Sequence, residues 1–332
     1  KIDKALSLEN LLGYLQEILN LQITFFPSLE IEKYKKQIES APYPSVFLLE
    51  NVRFSNLEES NDLNFSFKLA SLGDIYCNDA FSVSHRAHAS TSTIAKYFDE
   101  KSPGLLLEKE IFCLKKVLES PKKPVTAIVG GAKVSSKISI IANMLKVIDN
   151  LVIGGGMAYT FILSSGGKVG DSICEPENLR DCKEILRLAK KNKVKIFLPT
   201  DVVVSKSFSN NDKQKEVDIQ HIPDGWQGLD IGTKTRKFFS DVVKQSNTIL
   251  WNGPMGVFET GGLERGTQAI AEAIAEHPGY TAIGGGETLA ALSSFANPQN
   301  ISYKSTGGGA FLSFFCPKGL IGVEPLLNKD HL

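Results

Sequence analysis

Short apolar runs bounded by glycine, proline and polar clusters alternate along most of the chain with stretches whose apolar residues recur every three or four positions. The first kind reads as buried strand and the second as amphipathic helix. Their alternation is the pattern of parallel sheets covered by helices on both faces, so the fold class expected is α/β. Near the start, Leu8 to Leu19 has helical spacing; "SVFLLENVRF" reads as strand then loop, "LNFSFKLASLG" as a helix stopped at Gly73, and "DIYCNDAF" as another strand and loop. Residues 104–120 carry Leu107, Ile111, Leu114 and Leu118 on one helix face, and the prolines of "PKKP", Pro121 to Pro124, end that helix. Because 332 residues exceed one ordinary hydrophobic core, this helix is expected to connect two domains. The polar stretch "SFSNNDKQKEVD", residues 207–218, reads as a surface loop.

Beyond the connecting helix one local pattern recurs. In "VTAIVGGAKVSSKISIIANML" a strand-like run, Val125 to Val129, meets Gly130-Gly131, and apolar residues then repeat at Ile138, Ile141, Leu145 and Ile148. "NLVIGGGMAYTFI", "YTAIGGGETLAAL" and "YKSTGGGAFLSFF" share the design. Glycine lets the backbone approach a ligand, and free N–H groups at a helix start favour phosphate oxygens. In doubly wound sheets such turns gather at the carboxyl ends of the strands. Lys133 and Lys137 stand where a cation works against the positive end of the helix dipole; they are a solvated helix start or, more economically beside four glycine turns, partners of a phosphate. Neither G-x-G-x-x-G nor G-x-x-x-x-G-K-[ST] occurs, which disfavours a nicotinamide dehydrogenase and a P-loop NTPase.

"TILWNGPMGVFE", residues 248–259, has two readings. It is a structural turn with Trp251 and Phe258 in the core, or a nucleoside clamp in which Glu259 accepts ribose hydroxyls and Pro254 and Val257 form an apolar wall. "SHRAHAS" groups His85, Arg86 and His88. An H-x-x-H metal site lacks an evident third ligand, whereas Arg86 with Arg53 offers two guanidiniums suited to a carboxylate or phosphate, or else two structural salt bridges.

Composition narrows the partners. Lys plus Arg and Asp plus Glu are 37 each, so no global positive field draws the chain to nucleic acid or an anionic membrane. Five scattered cysteines without a C-x-x-C pair fit a reducing cytosol. No apolar run approaches membrane-spanning length and the start lacks a signal-peptide core, so a soluble cytoplasmic protein is expected.

Nine blocks in this order, "LLENVRF", "NDAFSVSHRAHAST", "VGGAKVSSKI", "IGGGMAYTF", "LPTDVVV", "GLDIG", "WNGPMGVFE", "IGGGETLAAL" and "STGGGA", together resemble the phosphoglycerate kinase family over the whole chain. The resemblance implies two Rossmann-like three-layer domains with parallel sheets. These are an N-terminal triose-binding domain at 1–103 with the tail 306–332 packed back on it, the connecting helix at 104–120, and a nucleotide-binding domain at 121–305. It implies a monomer that transfers a phosphoryl group reversibly between Mg²⁺-bound ATP and the carboxylate of 3-phosphoglycerate, giving ADP and 1,3-bisphosphoglycerate. By the same resemblance Arg53 and Arg86 hold the triose, and Lys133 and Lys137 hold phosphates, with Lys137, Gly308 and Gly309 nearest the group in transit. Gly130, Gly131, Ala132, Gly155, Gly228, Asn252, Pro254, Val257 and Glu259 match the nucleotide pocket, and Gly284, Gly285, Gly286, Glu287 and Thr288 its phosphate and metal edge, with Glu287 the metal ligand.

Three departures accompany the match. Glu287 stands where the family usually has Asp, and Ser136 where Asp commonly precedes the second lysine. The family's opening strand with Asp and Asn, a following Arg and a His-Leu-Gly-Arg loop are not found before Lys1, so the chain is expected to begin just after that loop. The alternative reading is a nucleotide-binding fragment or paralogue without turnover; a different α/β phosphotransferase using the same glycine turns is disfavoured by the nine ordered blocks.

Overall fold

The computed structural model describes residues 3–209, 213–316 and 319–326. The chain forms two compact units, Lys1–Glu108 with Lys318–Leu332, and Lys109–Pro317. The division falls within the helix Leu105–Glu119, and of the expected tail, residues 306–316 belong to the second unit.

In the first unit β1 (Ile23–Phe26) runs parallel to β2 (Val46–Leu49), and β3 (Tyr76–Asn78) parallel to β4 (Lys101–Pro103). Phe26, almost wholly buried, stacks on Tyr34 and Phe47 and fixes the first pair against the helix Ile31–Glu39. Residues 319–326 pack on this unit: Gly322 N donates to Ser84 O at 2.8 Å, and Asn78 Nδ2 donates to Gly322 O at 3.0 Å. The helix expected from Leu8 starts instead at Leu12 and runs to Leu19, and it buries none of its residues. The cause is local. Glu50 accepts from Leu8 N and Ser7 Oγ, at 2.9 and 2.6 Å, which tightens Leu8–Leu11 into a 3₁₀ turn.

The second unit is built on six parallel strands, β5 (Val125–Val129), β6 (Asn150–Ile153), β8 (Lys195–Phe197), β13 (Thr248–Asn252), β14 (Tyr280–Gly284) and β15 (Tyr303–Ser305), in the order β15-β14-β13-β5-β6-β8. β5 and β13 are buried along their whole length, as a continuous apolar run predicts for central parallel strands. One face packs Ile128, Val152, Trp251 and Ile283 against Phe239, Ile270 and Ile274 of the helices Thr233–Lys244 and Arg265–Ala275. Two smaller sheets are appended. β7 (Lys168–Val169) pairs with β11 (His221–Ile222), and β9 (Asp201–Ser205) lies antiparallel between β10 (Lys215–Asp218) and β12 (Gln227–Ile231). β10 corrects the expectation of a loop over 207–218; residues 210–212 of that stretch lie outside the described residues. Its polar sequence gives no strand signal because it is a mostly exposed edge, held by backbone pairing to β9.

Candidate functional site

Four strands of the central sheet, β5, β13, β14 and β15, run in parallel, so their carboxyl ends open at one edge. There the turns meet backbone to backbone. Gly130 N donates to Asn252 O at 2.9 Å, and a Cβ on Gly130 would overlap the Pro254 carbonyl. Gly285 has φ of +100° and faces Gly308 closely, which joins the third and fourth turns.

Lys137 sits inside this cluster. Its Nζ donates to Gly130 O at 2.6 Å and to Asn252 Oδ1 at 3.1 Å; Asn252 Nδ2 donates to Gly284 O at 2.6 Å, and Gly253 N to Thr288 Oγ1 at 2.8 Å. The ends of β5, β13 and β14 thus share one hydrogen-bond network. Burial lowers the Lys137 pKa from 10.5 to about 8, with the Glu287 charge pulling the other way. An ammonium has three N–H donors, and two of them are spent in this network, which leaves one for a ligand oxygen. The loop carrying both lysines is tied down by Glu175, which accepts from Ser135 N and Oγ at 2.9 and 2.6 Å. Lys133 itself projects into solvent.

Beside the network lies a cavity of about 240 Å³. Gly131, Ala132, Gly155, Gly228, Pro254, Val257, Glu259 and Glu287 of the expected set line it. Gly130, Asn252, Gly284 and Thr288 belong to the network just described and not to the lining, and Gly285 and Gly286 lead into the helix Gly286–Phe295. The structure adds Gly156, Tyr159, Ile173, Phe208, Gln227, Leu229 and Gly256 to the lining. Gly156, Tyr159, Leu229 and Gly256 fall within blocks that the sequence marks; Ile173, Phe208 and Gln227 carry no such signal.

The Gly307–Gly309 turn is anchored from the connecting helix. Glu110, with no exposed surface, accepts from Thr306 N and Oγ1 at 2.7 and 2.8 Å and from Ser305 Oγ at 2.8 Å. A buried carboxylate satisfied by three donors fixes the entry to the turn, and Gly309 then starts the short helix Gly309–Ser313.

In the first unit, the charges of Arg53 and Arg86 both reach His88. Arg53 Nη1 lies 3.5 Å from Glu59 Oε1, and Arg86 Nε donates to His85 Nε2 at 3.3 Å. Burial pushes the His88 pKa down, with Arg53 and Arg86 adding to the effect against Glu58 and Glu59; burial and Arg86 do the same to His85. The depressed imidazole pKa values leave the positive charge of this cluster with the arginines. Among the described residues no group of three or more His, Cys, Asp or Glu could hold a metal ion.

Comparison with known proteins places this geometry in context. The sequence model of the phosphoglycerate kinase family matches residues 1–318. The solved structure of phosphoglycerate kinase from Coxiella burnetii is similar, with 36% identity and a TM-score of 0.84, covering 98% of this chain and 82% of that one. Phosphoglycerate kinase from Pyrococcus horikoshii OT3 is similar at 28% identity and a TM-score of 0.81, covering 96% of this chain and 82% of that one.

Proposed function

The chain belongs to the phosphoglycerate kinase family, and we propose that it binds its nucleotide in the cavity beside Lys137 and its triose on Arg53 and Arg86. The reaction is reversible phosphoryl transfer between ATP and the carboxylate of 3-phosphoglycerate, as family membership carries. What supports the siting is the network of Lys137 with Gly130, Asn252 and Gly284 at one strand edge, opening beside a cavity of about 240 Å³.

Phosphoryl transfer asks for alignment and fixed positive charge more than for a covalent partner. In this reading Pro254 and Val257 wall the nucleoside, Glu259 accepts from the ribose, and Lys133 meets phosphate at the mouth. Lys137 directs its remaining N–H to the group in transit, while the backbone N–H groups of Gly308 and Gly309 face that group from the opposite turn. Glu287 lines the cavity within electrostatic reach of Lys137, while the other lining carboxylate, Glu259, is assigned to the ribose. One carboxylate suits Mg²⁺ that arrives with the nucleotide phosphates and keeps its waters. When bound, the ion neutralises phosphate charge. The reading takes the protein as a cytoplasmic monomer that needs neither nucleic acid nor membrane. Five free thiols support the reducing compartment and balanced charge the lack of a nucleic-acid partner; among the described residues no helix is long and apolar enough to cross a membrane.

The test is calorimetry of MgADP into the 332-residue chain and into Val257→Trp, which fills the cavity. Binding to the parent and none to the variant, with 3-phosphoglycerate affinity retained, is the expected result. Equal ADP affinity in both would place the nucleotide elsewhere.

A further inference from the structure

Asp230 stands behind the cavity wall and has no part in the chemistry above. It is 1% exposed. Its Oδ2 accepts from Gly266 N at 2.7 Å, near the start of the helix Arg265–Ala275, whereas Oδ1 has no hydrogen-bond partner among the described residues. The chain makes room by omitting side chains: a Cβ on Gly256 or Gly266 would overlap Oδ1. Gly256 also lines the cavity, so one thickness of backbone separates the unpartnered oxygen from the space assigned to the nucleoside. The register of β12 against β9 shifts between Gly228 and Asp230, and Leu229, skipped by that shift, accepts from Val257 N through its carbonyl at 2.9 Å. Asp230 therefore sits where β12, the loop after β13 and a helix start meet, and its neighbours Gly228, Leu229, Gly256 and Val257 are cavity wall.

We propose that Asp230 is a positioning residue for the nucleoside, and that its carboxylate takes up a proton from the buffer when a nucleoside seats against Gly256. This rests on the reading of the cavity as the nucleoside site. A ligand on that wall replaces the solvent of the cavity, one thickness of backbone from the carboxylate, with less polar atoms, and a less polar surround favours the neutral acid. The starting point is already poised. Burial pushes the Asp230 pKa up to about 7, with Glu264 adding to the rise, against the Gly266 and Ile231 N–H groups and Arg236. Glu264 Oε2 is likewise buried with no partner among the described residues. The Tyr159 hydroxyl, on the helix Met157–Ser164, is the other titratable group facing it, and burial followed by the Asp230 charge raises its pKa, so it stays neutral. Binding that favours the protonated form weakens as pH rises through the group's midpoint.

Adenosine is the probe, because it carries no phosphate and no group titrating near neutrality. Calorimetry at pH 7 in two buffers of different ionisation enthalpy counts the protons. Up to about half a proton per adenosine is expected, since a group with its midpoint near 7 starts half protonated, and adenosine affinity should fall from pH 6 to pH 8. Asp230→Asn should take up none and give a flat profile. Glu264→Gln removes a neighbouring negative charge and should move the midpoint to lower pH; with the parent chain it carries the test if the Asp230 variant does not fold. Absence of uptake in the parent, unchanged uptake in Asp230→Asn, or an unmoved midpoint in Glu264→Gln overturns the proposal. Normal MgADP binding without adenosine-linked uptake sinks this inference alone, whereas binding of neither ligand sinks the nucleotide reading and this inference with it.

Discussion

Replacing Lys137 by Met removes a charge whose burial the folded protein has to support. Burial lowers that pKa from 10.5 to about 8, with Glu287 opposing, and at 1.36 kcal/mol per unit this costs the folded state about 3 kcal/mol at pH 7. Between pH 8 and 10.5 the folded lysine binds fewer protons than the unfolded one, so the cost is full below pH 8 and fades as pH rises toward 10.5. The relief amounts to about 1.4 kcal/mol from pH 7 to 9 and about 2.5 kcal/mol by pH 10. Lys137→Met has no such dependence. Its stability is offset by the lost hydrogen bonds to Gly130 and Asn252, but that offset does not vary with pH. Both tryptophans, Trp226 and Trp251, lie in the second unit, so fluorescence during urea denaturation reads that unit. Relative to the variant, the parent should gain about 1.4 kcal/mol between pH 7 and 9. Turnover of the variant should drop by about 10²–10³ or more, as for loss of one preorganised donor. A stability difference that stays constant across that pH range refutes the buried-charge account, and full turnover refutes the assignment of Lys137 to the moving phosphoryl.

Glu110→Ala should lower the urea stability of the second unit by about 2–4 kcal/mol, since three donors to a buried carboxylate lose their partner; turnover should fall with it, and Glu110→Gln should recover part of both. Gly130→Ala drives a methyl group into the Pro254 carbonyl and should cost about 3 kcal/mol or more, read as a fall in melting temperature. Arg86→Ala should weaken 3-phosphoglycerate binding by about 10- to 100-fold, the worth of a charge-assisted pair, and leave ADP affinity nearly unchanged in calorimetry. Equal loss of both ligands would make Arg86 structural.

The glycine turns are readable in the sequence because the constraint there is on the backbone itself: where two turns touch, as at Gly130 and Pro254, no other residue fits. "TILWNGPMGVFE" places core and cavity lining on neighbouring residues. Trp251 is wholly buried and Phe258 packs edge-on against Phe295, while Pro254, Val257 and Glu259 line the cavity. Glu110 was not legible, because in a helix rich in Glu and Lys it resembles any solvated residue until Thr306 is brought to it from 196 positions away. Ile173, Phe208 and Gln227 share that difficulty, as does β10, whose partner strand rather than its own composition makes it a strand.

The antiparallel trio of β9, β10 and β12 meets the core of the central sheet at Ile231, the end of β12, which packs in one cluster with Trp251 and Ile283. Val202 and Val204 join the cluster around Tyr159, and Val203 and Leu229 join Leu263. Gly228 and Leu229 on that trio face the same cavity as Gly131 and Pro254 from the central sheet. A nucleotide lodged there would be a cross-brace between the two sheets. Its mechanical effect would be uneven: backbone amides of the trio, whose edge strand β10 is mostly exposed, would be the ones slowed most in hydrogen exchange, while those of β5 and β13, buried along their whole length, would hardly register the guest.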